Sequence, residues 1–194
     1  MKRLKKLIFN YISKTLREIQ DIIGAVSILN YKEYKVITTH CRKNDLPEVL
    51  KIYRDNFGGG AENTICKYQK IFKKVFFLIK NDRSNLIGYC TYYIHIKIKN
   101  FSIQKIATIY SFAVDARYIG KGIGTSLLKE SIYELKKNKI HIIRLYVKVD
   151  NQSAIHLYKK FGFIEMEICE NICGPGDKCY RMELLLNTIN EFKK

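Results

Sequence analysis

Three glycines at alternate positions, Gly120, Gly122 and Gly124, lie between an apolar run and a helical one. Upstream, Ile109, Phe112 and Val114 read as a buried strand, and downstream Leu127 and Leu128 open an amphipathic helix. A chain in that order must turn sharply from strand into helix, and glycine lets the backbone adopt left-handed conformations and approach a ligand closely. The turn's N–H groups and the positive end of the helix dipole then converge on one point, the layout of an anion cradle. A sharp bend with no ligand carries the same glycine signature. Lys121 is not followed by Ser or Thr, and no G-x-x-x-x-G-K precedes it, so the loop is not a P-loop. Its G-x-G-x-G spacing, with no acidic residue ending a second strand, also excludes a dinucleotide fold.

A second motif follows. Residues 142–149 read as a buried strand, and Asn151 can cap a helix in which Ala154, Ile155, Tyr158 and Phe161 share a face before Gly162-Phe163. The two motifs together resemble the GCN5-related N-acetyltransferase (GNAT) superfamily, over roughly residues 34–186 and most sharply over 109–163. The run from Gly174 through Asp177, Tyr180 and Met182 to Leu184 is similar to the closing hairpin of the ribosomal-protein and protein N-terminal acetyltransferases.

The resemblance implies a fold of the α/β (α+β) class, with a mixed, mostly antiparallel central sheet flanked by helices. It implies acetyl-CoA as cosubstrate, its pyrophosphate held by the backbone of Ile119, Gly120, Lys121, Gly122, Ile123, Gly124 and Thr125. Phe112, Ala113 and Val114 would offer backbone hydrogen bonds to the pantetheine arm and an N–H to the thioester oxygen. Asn151 would contact the same arm, and Tyr158 would be the catalytic proton donor. Plain packing and plain capping are the competing readings of these last two residues.

The chain departs from the family pattern at three positions. Ile119 stands where Arg or Gln is usual, Tyr110 where many relatives carry a Glu base, and Tyr146 where the protein N-terminal enzymes carry an acid or His. Tyr110 and Tyr146 are therefore expected to line the acceptor side. His95, His141 and His156 are base candidates by residue type alone. A water chain, an acceptor of depressed pKa, or lost catalysis could each explain the missing base. A peptide α-amine, with a pKa near 8, needs less help than a lysine near 10.4, which favours a protein N-terminus as acceptor. A small-molecule amine, or an acyl-CoA-binding module without turnover, is the alternative.

The chain of 194 residues suits one acetyltransferase domain at 34–194 behind a basic amphipathic helical extension at 1–33. In that extension Leu4, Leu7, Ile8, Tyr11, Ile12, Leu16, Ile19, Ile22, Ile23 and Val26 recur with helical period, and no acid precedes Glu18. It could pack on its own domain, mediate a dimer, or lie on a membrane surface. The net charge of +17 attracts anionic ligands, but no nucleic-acid motif accompanies it, so nucleic acid is not the expected partner. No apolar run of membrane-spanning length and no secretory leader is present, which gives the cytoplasm as the expected location. Cys41, Cys66 and Cys90 are isolated, while Cys169, Cys173 and Cys179 cluster without zinc spacing, so no metal is expected and the thiols should be mostly reduced.

The remaining pattern predicts a strand at 36–40, a helix from a cap at Asn44 or Asp45 to Phe57, a loop at Gly58-Gly59-Gly60 and a short helix at 64–73. Strands at 75–79, 86–98 and 103–114 should form a meander, followed by a helix at 122–138, a strand at 142–149, a helix at 153–161, and strands at 163–169 and 179–186.

Overall fold

A computed structural model describes residues 2–34, 37–99 and 101–186. The period-two stretch forms the expected meander: β1 (Thr38–His40) pairs with β2 (Phe76–Lys80), β2 with β3 (Leu86–Lys99), and β3 with β4 (Ser102–Val114), all antiparallel. A helix, Ile123–Lys137, crosses over so that β5 (Ile142–Lys148) runs parallel to β4. The strands Ile164–Glu170 (β6) and Lys178–Leu185 (β7) complete a seven-stranded sheet in the order β1-β2-β3-β4-β5-β7-β6. This is the mixed, mostly antiparallel sheet flanked by helices that the sequence implied.

Side-chain alternation gives the sheet two buried faces. On the front, Val49, Ile52 and Tyr53 of α2 (Leu46–Phe57) and Ile65 of α3 (Glu62–Ile71) form a core with Phe76, Leu78, Leu86, Tyr89 and Ala113. On the back, Leu127, Leu128 and Leu135 of α4 (Ile123–Lys137) join Ile155 and Tyr158 of α5 (Gln152–Lys160). These pack in one cluster with Phe77, Cys90, Tyr92, Ile109, Leu145 and Val147.

Element boundaries from residue 76 onward fall within one residue of those read from the sequence. Upstream, a 3-10 turn at Lys43–Asp45 precedes α2, and Asp45 accepts from the Arg42 N–H at 2.7 Å instead of capping the helix with its carboxylate. The helix expected at 64–73 begins at Glu62 and ends at Ile71. The strand expected at 36–40 begins at Thr38, since Ile37 forms a bend, and Val36 lies outside the described residues. The cysteine expectation needs correction: the β6–β7 connection brings Cys173 and Cys179 together as a disulfide, and Cys41, Cys66, Cys90 and Cys169 remain thiols.

The N-terminal extension is the helix α1 (Lys2–Ser27). Strand β2 pairs with β3 only as far as Thr91, and α1 packs against β3 beyond that point. The Gly24 backbone meets the Ile94 carbonyl so closely that a side chain at Gly24 would collide with it. Asp21 pairs with Lys67 of α3 at 2.6 Å, and Lys105 Nζ donates to the Ser27 carbonyl at 2.6 Å. The following residues tie the extension to α4: the Lys32 N–H donates to Asn138 Oδ1 at 2.7 Å and the Tyr34 N–H to Glu134 Oε2 at 3.1 Å.

Candidate active site

Strands β4 and β5 pair at three positions only, Ile106 with Ile142, Ala107 with Ile143 and Thr108 with Arg144, although β4 continues to Val114 and β5 to Lys148. Each keeps its other neighbour throughout: β4 stays on β3 to the pair Gly88 and Val114, and β5 on β7 to Lys148 and Cys179. The strands therefore part, and among the described residues no strand occupies the β4 edge over residues 109–114. The register explains the parting. Thr91 pairs with Ser111 but Tyr92 pairs with Ile109, so Tyr110 is an extra residue on β4, a bulge that bends the strand. An open strand edge offers N–H and C=O groups to an extended, amide-bearing ligand. Phe112, Ala113 and Val114 lie along it.

The glycine loop stands at the end of that edge. Asp115 accepts from the Arg117 N–H at 3.0 Å, heading a 3-10 turn at Ala116–Tyr118, and binds the Arg117 guanidinium at 2.6 Å. The hydrogen bonds from Arg117 outweigh burial and hold the Asp115 carboxyl below its ordinary range. Gly120 and Gly122 then take the left-handed region at φ +77, with no atom within 4 Å of where a Cβ would stand. Gly122 is the N-cap of α4, and no side chain caps that helix. The first N–H groups of a helix have no intrahelical acceptor, so those of Ile123, Gly124 and Thr125 are free to take an anion. Gly124 has a different role, facing Phe112, Val114 and Leu157 at van der Waals distance. Ile119 is largely exposed, and Lys121 Nζ lies 5.1 Å from the Tyr118 ring centroid. The cradle is thus made of backbone with cationic side chains beside it, and the residues present suit a diphosphate.

Tyr158 projects from α5 into the back core beside the open edge, its ring 6.3 Å from Phe112 and 5.6 Å from Phe163. Burial, with a smaller push from Cys90, raises its phenol above the ordinary value and keeps it protonated at neutral pH. No described residue hydrogen-bonds its hydroxyl. Asn151, two elements away from the loop, caps α5 by accepting from the Ala154 N–H at 3.1 Å.

On the front, the bulged Tyr110 meets the Tyr68 ring edge-on at 4.9 Å, and Tyr68 lies 5.6 Å from Tyr93. Tyr146 stands across the opening on β5, two residues beyond Arg144. Glu183 on β7 is held by Arg144, 2.8 Å from Nε. His95 is pushed down to about 4 by burial and then by Arg144, leaving its imidazole neutral. His141 Nδ1 accepts from the Lys105 N–H at 3.0 Å, and His156 is exposed. The structure thus brings Tyr110, Phe112, Val114, the loop and Tyr158 around one opening. Tyr68, Tyr93 and the bulge were not singled out from sequence; the bulge leaves no mark in the residue alternation.

Residues 46–163 match the Acetyltransferase (GNAT) family. The N-alpha-acetyltransferase of Sulfolobus acidocaldarius is 31% identical over 155 residues, 75% of this chain and 92% of its own length. The [Ribosomal protein bS18]-alanine N-acetyltransferase of Escherichia coli is 37% identical over 85 residues, 42% of this chain and 57% of its own. A Methanocaldococcus jannaschii N-acetyltransferase is 39% identical over 71 residues, 37% of this chain and 31% of its own, so the chain spans under a third of that relative. Among solved structures, the E. coli ribosomal-protein-alanine enzyme superposes with a TM-score of 0.64 at 23% identity, over 81% of this chain and 97% of that one. Ard1 of Thermoplasma volcanium superposes at 0.66 and 22%, over 77% and 98%. These structures share the fold, and the sequence matches give its lineage: the chain belongs to the Acetyltransferase (GNAT) family.

Proposed function

We propose that the protein is an acetyl-CoA-dependent N-acetyltransferase acting on a protein N-terminal α-amine. The observation that carries this reading is the opening between β4 and β5, lying between an uncapped, glycine-headed helix and a buried, protonated tyrosine. The N–H groups of Ile123, Gly124 and Thr125, with the loop backbone from Ile119 to Gly122, would hold the cosubstrate's pyrophosphate, and the free edge at Phe112, Ala113 and Val114 its pantetheine amides. Asn151, already used as a cap, would meet the same arm through its remaining amide hydrogens. Acetyl-CoA supplies the acetyl group activated as a thioester. A β4 N–H would stabilise negative charge developing on the carbonyl oxygen. As the neutral amine nitrogen bonds the carbonyl carbon and the C–S bond breaks, Tyr158 would give its phenolic proton to the departing sulfur, in direct transfer within a ternary complex. The amine's surplus proton would leave to water, from which the phenolate is reprotonated.

The acceptor would approach from the front, past Tyr110 and Tyr146. With Glu183 engaged by Arg144 and His95 a weak base, no strong base stands there among the described side chains. An α-amine is substantially neutral near pH 8 and suits such a site better than a lysine. Relatives named for N-alpha-acetylation, and a NatC complex solved with Gag peptide and CoA, support this acceptor class. We place the protein in the cytoplasm, and assign the outward side of α1 to a dimer partner or membrane surface rather than to the acceptor.

Calorimetry with acetyl-CoA followed by mass spectrometry of peptides incubated with both tests the reading. Binding with acetyl transfer to the peptide α-amine supports it. Binding without turnover on any amine replaces it with an acyl-CoA-binding module, and absence of binding removes the cofactor site.

A further inference from the structure

Helix α1 is amphipathic, and it packs on the body through its polar side. Among its described side chains the buried positions are Asp21 and Gly24, three residues apart on one side of the helix, and Ile28, just past its end, is buried as well. The opposite side carries Ile12, Leu16, Ile19, Ile22, Ile23 and Val26, which are between 47% and 62% exposed. A helix that only completed a core would turn that stripe inward. The hairpin joining β3 to β4, against which α1 packs, ends in a second apolar feature. Ile98 and Ile103 are exposed there, and Phe101, at φ +58, is exposed in full.

The charge around these features is mainly positive: the acids of α1 are Glu18 and Asp21, and Asp21 is buried against Lys67. Residues 2–17 hold six Lys or Arg and no Asp or Glu, and Lys97 and Lys105 flank the hairpin tip, in a chain of net charge +17. An apolar stripe bordered by cations matches the boundary between anionic headgroups and acyl chains. A second copy of the chain would bring the same cations against these. No described helix is long and apolar enough to cross a membrane. We propose that the outward side of α1 and the tip of the β3–β4 hairpin seat the protein on an anionic lipid bilayer, α1 lying in the plane of the headgroups. None of the residues assigned to acetyl transfer takes part, so the two readings stand or fall separately.

The test is sedimentation of the full chain with phosphatidylcholine vesicles, with and without phosphatidylglycerol, over a range of salt. The protein is expected to pellet with the phosphatidylglycerol vesicles, to stay in solution with phosphatidylcholine alone, and to be released as salt rises. The doubly substituted Ile19→Glu, Ile22→Glu protein should bind the anionic vesicles at least about tenfold more weakly, because two large apolar side chains no longer enter the lipid. Phe101→Ser should weaken binding by a smaller factor. Circular dichroism should show both variants folded, since the replaced side chains are exposed. Wild-type protein that stays in solution with anionic vesicles overturns the proposal. So does a concentration-dependent dimer, seen by ultracentrifugation and broken by the Glu substitutions, in a protein that ignores vesicles; the stripe is then a contact between copies.

Discussion

Thr108 and Arg144 form the last pair between β4 and β5, and everything assigned to acetyl-CoA lies beyond them. The opening is held by two well-paired neighbours, β3 and β7, each of which keeps its own strand to the end. Its direction of access is set by the crossover: the helix that makes the two strands parallel begins at the glycine loop and points its free N–H groups there.

Gly122→Val should weaken acetyl-CoA binding by at least about tenfold, or about 1.4 kcal/mol. Valine is strained at φ +77, and its branches would enter space now open in front of the helix N-terminus. Arg117→Ala should change affinity far less, because that guanidinium is committed to Asp115. Calorimetry on both variants checks the contrast, and equal losses would show that the cradle depends on side chains.

Tyr158→Phe should lower turnover by about a hundredfold while leaving acetyl-CoA affinity and thermal stability near wild type. No described group bonds the hydroxyl, so its removal leaves no orphaned partner in the core. Steady-state kinetics on an α-amine peptide decide this, and an unchanged kcat would make Tyr158 a packing residue.

Much of this architecture was legible in the residues. The glycine loop, the Asn151 cap and the period-two strands are local signals, and their elements appear within one residue of the expected limits from residue 76 on. What was not legible depends on pairing across the sheet. The Tyr110 bulge, the early end of the β4–β5 ladder and the Tyr68–Tyr93–Tyr110 wall arise from register, which alternation alone does not encode. The packing of α1 through Gly24 likewise contradicts the usual inward use of an apolar stripe, so its orientation had to come from the structure.

Gly24→Val should destabilise the protein by roughly 1–3 kcal/mol or free α1 from β3, since the new side chain meets the Ile94 carbonyl. Thermal melts combined with limited proteolysis of residues 2–34 would show this as a lower Tm or faster cleavage within α1. A variant indistinguishable from wild type in both would contradict the close approach.

His40 links the extension's anchor to α4, with Nε2 2.8 Å from Glu134 Oε1. Burial lowers the His40 pKa, but the Glu134 hydrogen bond and the charges of Glu134 and Glu33 outweigh it, so the net shift is upward. A pKa raised in the folded state contributes stability that is fully present below the unfolded value, about 6.5, and lost as pH rises through the folded one. Melting temperature should therefore fall from about pH 6.5 upward, and His40→Asn should flatten that dependence. A slope unaltered by the substitution would assign the pH effect elsewhere.

The most direct test of the account is to incubate the protein with acetyl-CoA and a peptide carrying both a free α-amine and an internal lysine, then locate the product by tandem mass spectrometry. The account predicts one acetyl group on the α-amine, lost when the peptide N-terminus is blocked. Acetylation confined to the lysine, or none with acetyl-CoA bound, would contradict it.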